Sequence, residues 1–390
     1  MQQLVAGERI APRENYALDS SIDRLLVTGA TGFIGGAVLA DLVGSPLWQD
    51  TLIMVRASTL SEGKERIAHS LQRFFPDRPV SQLIGDHQVI LCSLEDSDCL
   101  LEDERVEHVS HVIHCAAMAS FSDSPKIRAT NVDASLAFMR SITAVARIRR
   151  FVNVGTAWCV GLRTSEVVPE AAEVPEGEHV VPYTASKLEF ERRVREEFPW
   201  LNFVSARPSI VVGHTRLGTK PSGSIYWVFR STFAMGQFTC AYSDQLDVVP
   251  VDWVASALVR LATTRRLRFK NYHLSSGRQW ASSIEQIDHA IATGIEQRAN
   301  GKEGYRRVGG QELAKAVRAN RYRLGNANPW LLTHALNIYG KFAQSGTVFD
   351  NSHTLMEGVS PPPPFFTYAG LCAATAESTS LAAQMEDDFK

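Results

Sequence analysis

Residues 24–36 read Arg-Leu-Leu-Val-Thr-Gly-Ala-Thr-Gly-Phe-Ile-Gly-Gly. Leu25, Leu26 and Val27 form a short apolar run of the kind that a parallel sheet buries on both faces. Gly29, Gly32 and Gly35 follow at three-residue spacing, and Ala37, Val38, Leu39, Leu42 and Val43 continue as a helix. Strand, tight turn and helix in that order leave few folds open, and they point to a dinucleotide-binding unit. Gly29 lets the chain leave the strand sharply, Gly32 lets backbone amides approach a pyrophosphate, and Gly35 lets the helix pack close to the sheet. The unpaired N–H groups at the helix start favour phosphate. Thr31, Phe33 and Ile34 belong to the same turn and are expected to line the cofactor with the glycines. The alternative is a glycine-rich turn without a ligand.

The chain has 390 residues, 45% hydrophobic and 21% charged, enough for a large globular domain and a smaller lobe. A net charge of −2 gives no reason to expect nucleic acid or an anionic membrane. The six cysteines (Cys92, Cys99, Cys115, Cys159, Cys240 and Cys372) include no Cys-x-x-Cys pair. Several sit in apolar runs, where a free thiol packs as a small core residue, which suits a reducing cytoplasm. Residues 1–22 are charged throughout, lack the apolar core of a signal peptide, and read as a tail or strap. No apolar run is long enough for a membrane span, so a cytoplasmic protein is expected. No His/Asp/Glu cluster has metal-ligand spacing, so no metal is expected.

The second strand, Thr51–Val55, ends at Arg56. An acidic residue at this strand end would bind the ribose 2′-hydroxyl, whereas an arginine accommodates a 2′-phosphate. Arg56, with Lys64 and Arg66 nearby, therefore favours NADPH over NADH. The third strand is read as Gln88–Cys92, which makes Ser93 and Leu94 candidates to flank the adenine. The fourth, His111–Cys115, runs into Ala116 and Ala117, whose small side chains let backbone pass beneath the cofactor. His114 reads as a packed strand histidine. Asn131 lies in a helical stretch, 124–148, where it can hydrogen-bond backbone at the sheet edge.

Phe151–Val154 is the fifth strand, with Gly155-Thr156-Ala157 at the carboxyl end, the edge where open α/β sheets bind ligands. A helix then carries Tyr183-Thr-Ala-Ser-Lys187, with Leu188, Phe190 and Val194 as its apolar face. Tyr183 and Lys187 are four apart and share one helix face. A phenol with an ordinary pKa near about 10 exchanges protons poorly at neutral pH, and a neighbouring ammonium is expected to lower that value. Lys187 could also reach a cofactor ribose, and Thr156 could hold a substrate oxygen beside the phenol.

With these residues in place, 24–275 resembles an extended member of the short-chain dehydrogenase/reductase superfamily. The resemblance rests on Thr28-Gly29-Ala-Thr-Gly32-Phe-Ile-Gly35, His114-Cys-Ala-Ala117, Asn131, Thr156, and Tyr183 with Lys187. It implies that Tyr183 is the proton donor, Lys187 its activator and ribose ligand, and Thr156 the orienter of a carbonyl. Asn131 would position the lysine or a relay water. Leu52-Ile-Met-Val-Arg56-Ala57, Ala206-Arg207-Pro208-Ser209-Ile210-Val-Val-Gly213 and Asp247-Val-Val-Pro250-Val-Asp252-Trp253-Val254-Ala255 are similar to one branch, the thioester reductases and fatty acyl-CoA reductases of the male sterility type. That branch implies that Pro208, Ser209 and Ile210 lie beside the nicotinamide carboxamide and that Asp252 orders loops around the substrate lobe. Trp158 is a departure, since the branch more often has tyrosine there.

The expected architecture is α/β: a Rossmann-like doubly wound parallel sheet with a smaller, mostly helical C-terminal substrate lobe. Its layout is a tail at 1–22, an NADP-binding domain at 23–213, a lobe insertion at 214–246, a return to the sheet at 247–277 and the helical lobe at 278–390. Phe229, Phe233, Phe238 and Tyr242 read as core more than as pocket lining. Ile284, Ile287, Ile291 and Ile295 mark one amphipathic helix, and a run from Trp330 to Phe342 marks a second, apolar around much of its circumference. The expected function is NADPH-dependent reduction of an acyl thioester to aldehyde or alcohol. The thioester would be a small molecule or carried on phosphopantetheine, with an acyl or peptidyl carrier protein as partner. The alternatives on this fold are a nucleotide-sugar epimerase or dehydratase, a ketone or alcohol dehydrogenase, and a non-catalytic NADP-binding regulator.

Overall fold

Seven segments pair side by side as parallel strands: β1 (Arg24–Thr28), β2 (Thr51–Val55), β3 (Val89–Leu91), β4 (Val109–His114), β5 (Arg150–Val154), β6 (Phe203–Pro208) and β7 (Asn271–Leu274). The computed structural model describes residues 22–120, 122–163, 167–171 and 178–388, so the expected tail lies, apart from residue 22, outside the described residues. The spatial order is β7-β6-β5-β4-β1-β2-β3. The chain winds outward from β1 through β3, then crosses back to lay β4 against the other side of β1. Between β1 and β4 the winding reverses, and such a switch point opens a crevice at the carboxyl ends of the strands.

Alternation along each strand feeds two cores, one on each face of the sheet. Leu25 and Val27 of β1 point to the side packed by helices α1 (Phe33–Leu42), α2 (Leu60–Gln72) and α6 (Val251–Thr263). Leu26 points to the opposite side, with α3 (Ser135–Val145) and α4 (Pro182–Glu197) over it. This two-sided burial explains why the centres of β1 and β2 are continuous apolar runs without polar alternation. The helix expected over 124–148 is interrupted. It begins at Pro125–Arg128, widens into a π-helical segment at Ala129–Ala134 and resumes as α3. The wide turns hold the Asn131 side chain inside, where its amide is bonded at both ends to the main chain of Met118.

A third core lies beyond the carboxyl edge of the sheet. It joins α5 (Tyr226–Met235) and Val248 to α7 (Ile284–Gly294), α8 (Pro329–Gln344) and α9 (Phe366–Ala376). Phe233 and Tyr242 pack against this core. Helices α7 and α9 cross in direct backbone contact, because Gly294 faces Gly370 with no side chain between them. One expectation is corrected: Cys92 and Cys99 are not free thiols but form a disulfide across the loop after β3, while Cys115, Cys159, Cys240 and Cys372 are reduced. The two sulfurs are seven residues apart on a loop that folds back on itself. Nothing in their local sequence distinguishes them from the buried thiols. Among the described residues no helix is long and apolar enough to cross a membrane, and no group of three or more His, Cys, Asp or Glu could hold a metal ion.

The α7–α9 crossing yields a direct expectation. A Cβ on Gly294 would lie 2.1 Å from the Gly370 carbonyl oxygen, so the helices must separate to admit it. Gly294→Ala should destabilise the protein by about 1–3 kcal/mol, the usual cost of overpacking, seen as a lower Tm in thermal unfolding. An unchanged Tm would mean that the crossing is loose.

Candidate active site

The glycine turn stands at the switch point. Gly29 has φ +67° and a Cβ there would fall 2.5 Å from the Ala116 nitrogen, so only glycine lets β1 turn this close to the end of β4. Gly35 serves the turn rather than the sheet, since a Cβ on it would lie 2.1 Å from the Gly29 carbonyl oxygen. Gly32 caps α1 without any side-chain bond, which leaves the first amides of the helix for a ligand.

From this turn a cavity of about 570 Å³ runs toward the third core. Of the residues expected around a cofactor, Gly29, Thr31, Gly32, Phe33, Ile34, Gly35, Ala117, Pro208, Ser209 and Ile210 all line it. Thr156, Tyr183 and Lys187 line its middle, and Trp158, Phe229, Phe238, Tyr339 and Phe342 its far end. Phe229 and Phe238 are therefore both core and cavity wall.

The remaining candidates lie elsewhere. Arg56 is exposed, and the Arg66 guanidinium donates to the Arg56 carbonyl. The Ser93 hydroxyl accepts from the Asp96 amide, and Leu94 is buried in the core beneath α3. Ala116 is bonded through its amide to the Thr28 hydroxyl. Besides Met118, Asn131 donates to Ser186 Oγ at 3.0 Å, one residue before Lys187, and so ties the loop after β4 to α4. His114 is a packed strand histidine, stacked on Phe138 with 5.3 Å between centroids and bonded to Thr28. Burial and the nearby Lys187 charge push its pKa down to about 3.

Lys187 is buried, and its Nζ donates to the Val154 carbonyl at 2.8 Å, which fastens α4 to the end of β5. The same Nζ lies 5.9 Å from the centre of the Tyr183 ring. Burial drives the two groups in opposite directions: the Lys187 ammonium is pulled down to about 8 and the Tyr183 phenol is pushed up to about 12. The expected lowering of the phenol pKa is thus reversed, because loss of water raises it and the nearby Cys159 adds to the rise. Thr156 Oγ accepts from the Trp158 amide at 3.3 Å, an arrangement that leaves the hydroxyl proton to be donated elsewhere.

Two buried charges hold this geometry. Glu191, one turn after Lys187, bonds Arg207 of β6 at 2.6 Å, and both side chains are fully buried. Burial alone would raise the Glu191 pKa, but Arg207 outweighs it and holds the carboxyl below its usual range. A Cβ on Gly155 would sit 2.7 Å from Glu191 Oε1, so the ion pair presses against the backbone that carries Thr156. Farther out, Trp158 meets Phe342 and Phe349 edge-on at 4.8 and 5.0 Å. Asp247 accepts from the Phe349 amide at 3.1 Å and fixes that backing ring. Asp252 accepts from the amide and the hydroxyl of Thr215 and orders the loop after 213.

The cavity fits a nicotinamide dinucleotide on its own chemistry. Free amides and a turn without side chains stand at one end. Toward the middle, Ser209 and Lys187 put polar groups on a largely apolar wall. Sequence reading did not single out Arg73, which also lines the cavity, nor the Glu191–Arg207 pair. The available signals were its place seven residues beyond Arg66 on one helix face and the i, i+4 run of Tyr183, Lys187 and Glu191.

A family model described as Male sterility protein matches residues 27–258. Aldehyde reductase lnaA of Aspergillus flavus is 24% identical over 262 residues, which cover 62% of this chain and 24% of that protein. Fatty acyl-CoA reductase 1 of Xenopus laevis is 27% identical over 220 residues, covering 48% of this chain and 43% of that one. The chain therefore spans less than half the length of either relative. Among solved structures, the terminal R domain from the myxalamid PKS-NRPS biosynthetic pathway aligns with a TM-score of 0.72 at 20% identity, over 94% of this chain and 92% of that one. That likeness shows the same fold.

Breaking the buried pair tests its structural weight. Glu191→Gln leaves Arg207 buried without its countercharge and should cost about 3 kcal/mol or more in chemical denaturation at neutral pH. Because the folded-state pKa of Glu191 is depressed, the difference from wild type should persist at neutral pH and shrink as pH falls below the carboxylate range. A difference that grew with acid would contradict the assignment.

Proposed function

The chain belongs to the NAD-binding family described as Male sterility protein, a branch of the extended short-chain dehydrogenase/reductases, and from that premise we propose that it is an NADPH-dependent reductase of acyl thioesters. The observation that carries the reading is one cavity holding Thr156, Tyr183 and Lys187 between a glycine turn and an apolar, aromatic end. A nicotinamide bound there would supply the hydride to the thioester carbon, and the resulting hemithioacetal would collapse to the aldehyde as the carbon–sulfur bond breaks and the thiol leaves with the hydroxyl proton. Tyr183 gives its proton to the substrate oxygen as charge develops there, and the high phenol pKa keeps that proton in place until a substrate arrives. Thr156 donates its free hydroxyl proton to the same oxygen. Lys187, held at the end of β5, places positive charge beside the phenol and favours the phenolate left behind. Trp158 and Phe342 offer the acyl group an apolar surface instead of hydrogen bonds, which suits an acyl chain better than a sugar nucleotide.

The charge distribution supports a tethered or otherwise anionic thioester. Residues 298–323 contain eight Lys or Arg and two Glu, in a chain whose net charge is −2. Arg306, Arg307, Lys315, Arg318, Arg321 and Arg323 are all exposed. Among the described residues none of them forms an ion pair within 4 Å. An acidic carrier protein or the phosphates of coenzyme A would meet complementary charge there.

The test is NADPH oxidation with an acyl-CoA, an acyl-carrier thioester, a simple ketone and a nucleotide sugar. Turnover of thioesters is expected. Turnover of the sugar alone would replace the reading with an epimerase or dehydratase, and none at all with a non-catalytic NADP-binding protein. Tyr183→Phe should keep NADPH affinity and lower the rate by about 10²-fold or more. An unchanged rate would remove the phenol from the reaction.

The pH profile separates the lysine from the phenol. Lys187 is depressed to about 8 and Tyr183 raised to about 12, so the first alkaline limb belongs to the lysine. A plot of kcat/KM, which reports groups of the free enzyme, should fall as pH rises through about 8. In Lys187→Arg the charge persists to much higher pH, so the limb should vanish from that range. A limb that stays near 8 in the variant belongs to another group.

A further inference from the structure

Of Arg56, Arg66 and Arg73, only Arg73 lines the cavity. Its guanidinium is laid onto the glycine turn. Nη2 donates to the Thr31 carbonyl at 3.1 Å and to Ser70 Oγ at 3.0 Å, and Nε points at the Ser70 carbonyl at 3.4 Å. Ser70 Oγ donates in turn to the Ala30 carbonyl at 3.1 Å. The end of α2 is pressed so close to α1 that a Cβ on Gly36 would fall 2.6 Å from Ser70 Oγ. The position of Arg73 is therefore set by the turn itself and not by a flexible reach from solvent.

Seven residues make two helical turns, so Arg66 and Arg73 lie on one face of the same segment. Arg66 is drawn to the Arg56 carbonyl at the end of β2. Arg56, Arg66 and Arg73 thus form an arc from the end of β2 to Thr31. In a doubly wound fold the adenosine ribose lies between those two points, while the pyrophosphate is served by the amides at the start of α1. A guanidinium on the ribose side of the turn, already satisfied in part by main-chain oxygens, is suited to a dianionic phosphate ester.

We propose that Arg73 binds the 2′-phosphate of NADP(H) and is the arginine that chiefly distinguishes it from NAD(H). This rests on the NADPH reading above. It gives the role expected of Arg56 and Arg66 at the strand end to a residue at the glycine turn, with those two as flanking charge.

The test uses nucleotide fragments, so no turnover is needed. Adenosine 2′,5′-bisphosphate and 5′-AMP are titrated by calorimetry against wild type, Arg73→Ala, Arg73→Lys and Arg66→Ala, and NADPH and NADH by fluorescence. Wild type should prefer the bisphosphate. Arg73→Ala should lose about tenfold or more in affinity for the bisphosphate and NADPH, while 5′-AMP and NADH change by less than about threefold. Arg73→Lys should fall between, and Arg66→Ala should lose less than Arg73→Ala. An equal loss for both nucleotides would assign Arg73 to support of the turn, and no loss would remove it from the site; either result overturns the proposal. Wild type that fails to discriminate the two fragments would instead refute the NADPH reading, and the proposal with it.

Discussion

The buried contact between Glu191 and Arg207 is the constraint on which the rest of the site depends. Two opposite charges without solvent can persist only if each remains opposite the other, so α4 has one permitted position over β5 and β6. Lys187 takes its place from that position, with its ammonium on the Val154 carbonyl. Tyr183 sits one turn earlier on the same face, and Thr156 follows from the strand end that the carboxylate presses against. The three side chains proposed to react, gathered from two separate elements, are thereby set by a pair that does not itself line the cavity.

The same burial that makes the site rigid also sets its acid–base character. Removing water raises the phenol and lowers the amine, so the cavity holds an unusually reluctant acid beside an unusually weak base. Neither value is an intrinsic property of a Tyr-x-x-x-Lys spacing. Both belong to a space closed by the aromatic lobe and the glycine turn, and a ligand that brings its own charges there changes them again.

Much of this was legible in the chain because it is local. The glycine turn, the apolar strands and the Tyr183/Lys187 spacing each occupy a few consecutive residues, and each appears where its pattern implies. The sign of the Tyr183 shift was not legible, because a spacing argument counts one neighbour while desolvation sums over the fold. The aromatic wall was hidden for a related reason: Trp158 meets Phe342 and Phe349 only through the tertiary fold. Arg73 was obscured by Arg56 and Arg66, which stand nearer to the strand end where a phosphate ligand is usually sought. The Cys92–Cys99 pairing has no sequence signature at all.

The third core is assembled from two stretches, one following β6 and the other following β7, with α6 and β7 between them. Neither stretch encloses the far end of the cavity alone, for Phe229 and Phe238 come from the first and Tyr339 and Phe342 from the second. Any recombination between this protein and a relative therefore needs paired crossovers on either side of the α6–β7 segment. A chimera with a single junction would unite mismatched halves of one hydrophobic interior, whatever the match of its nucleotide-binding end.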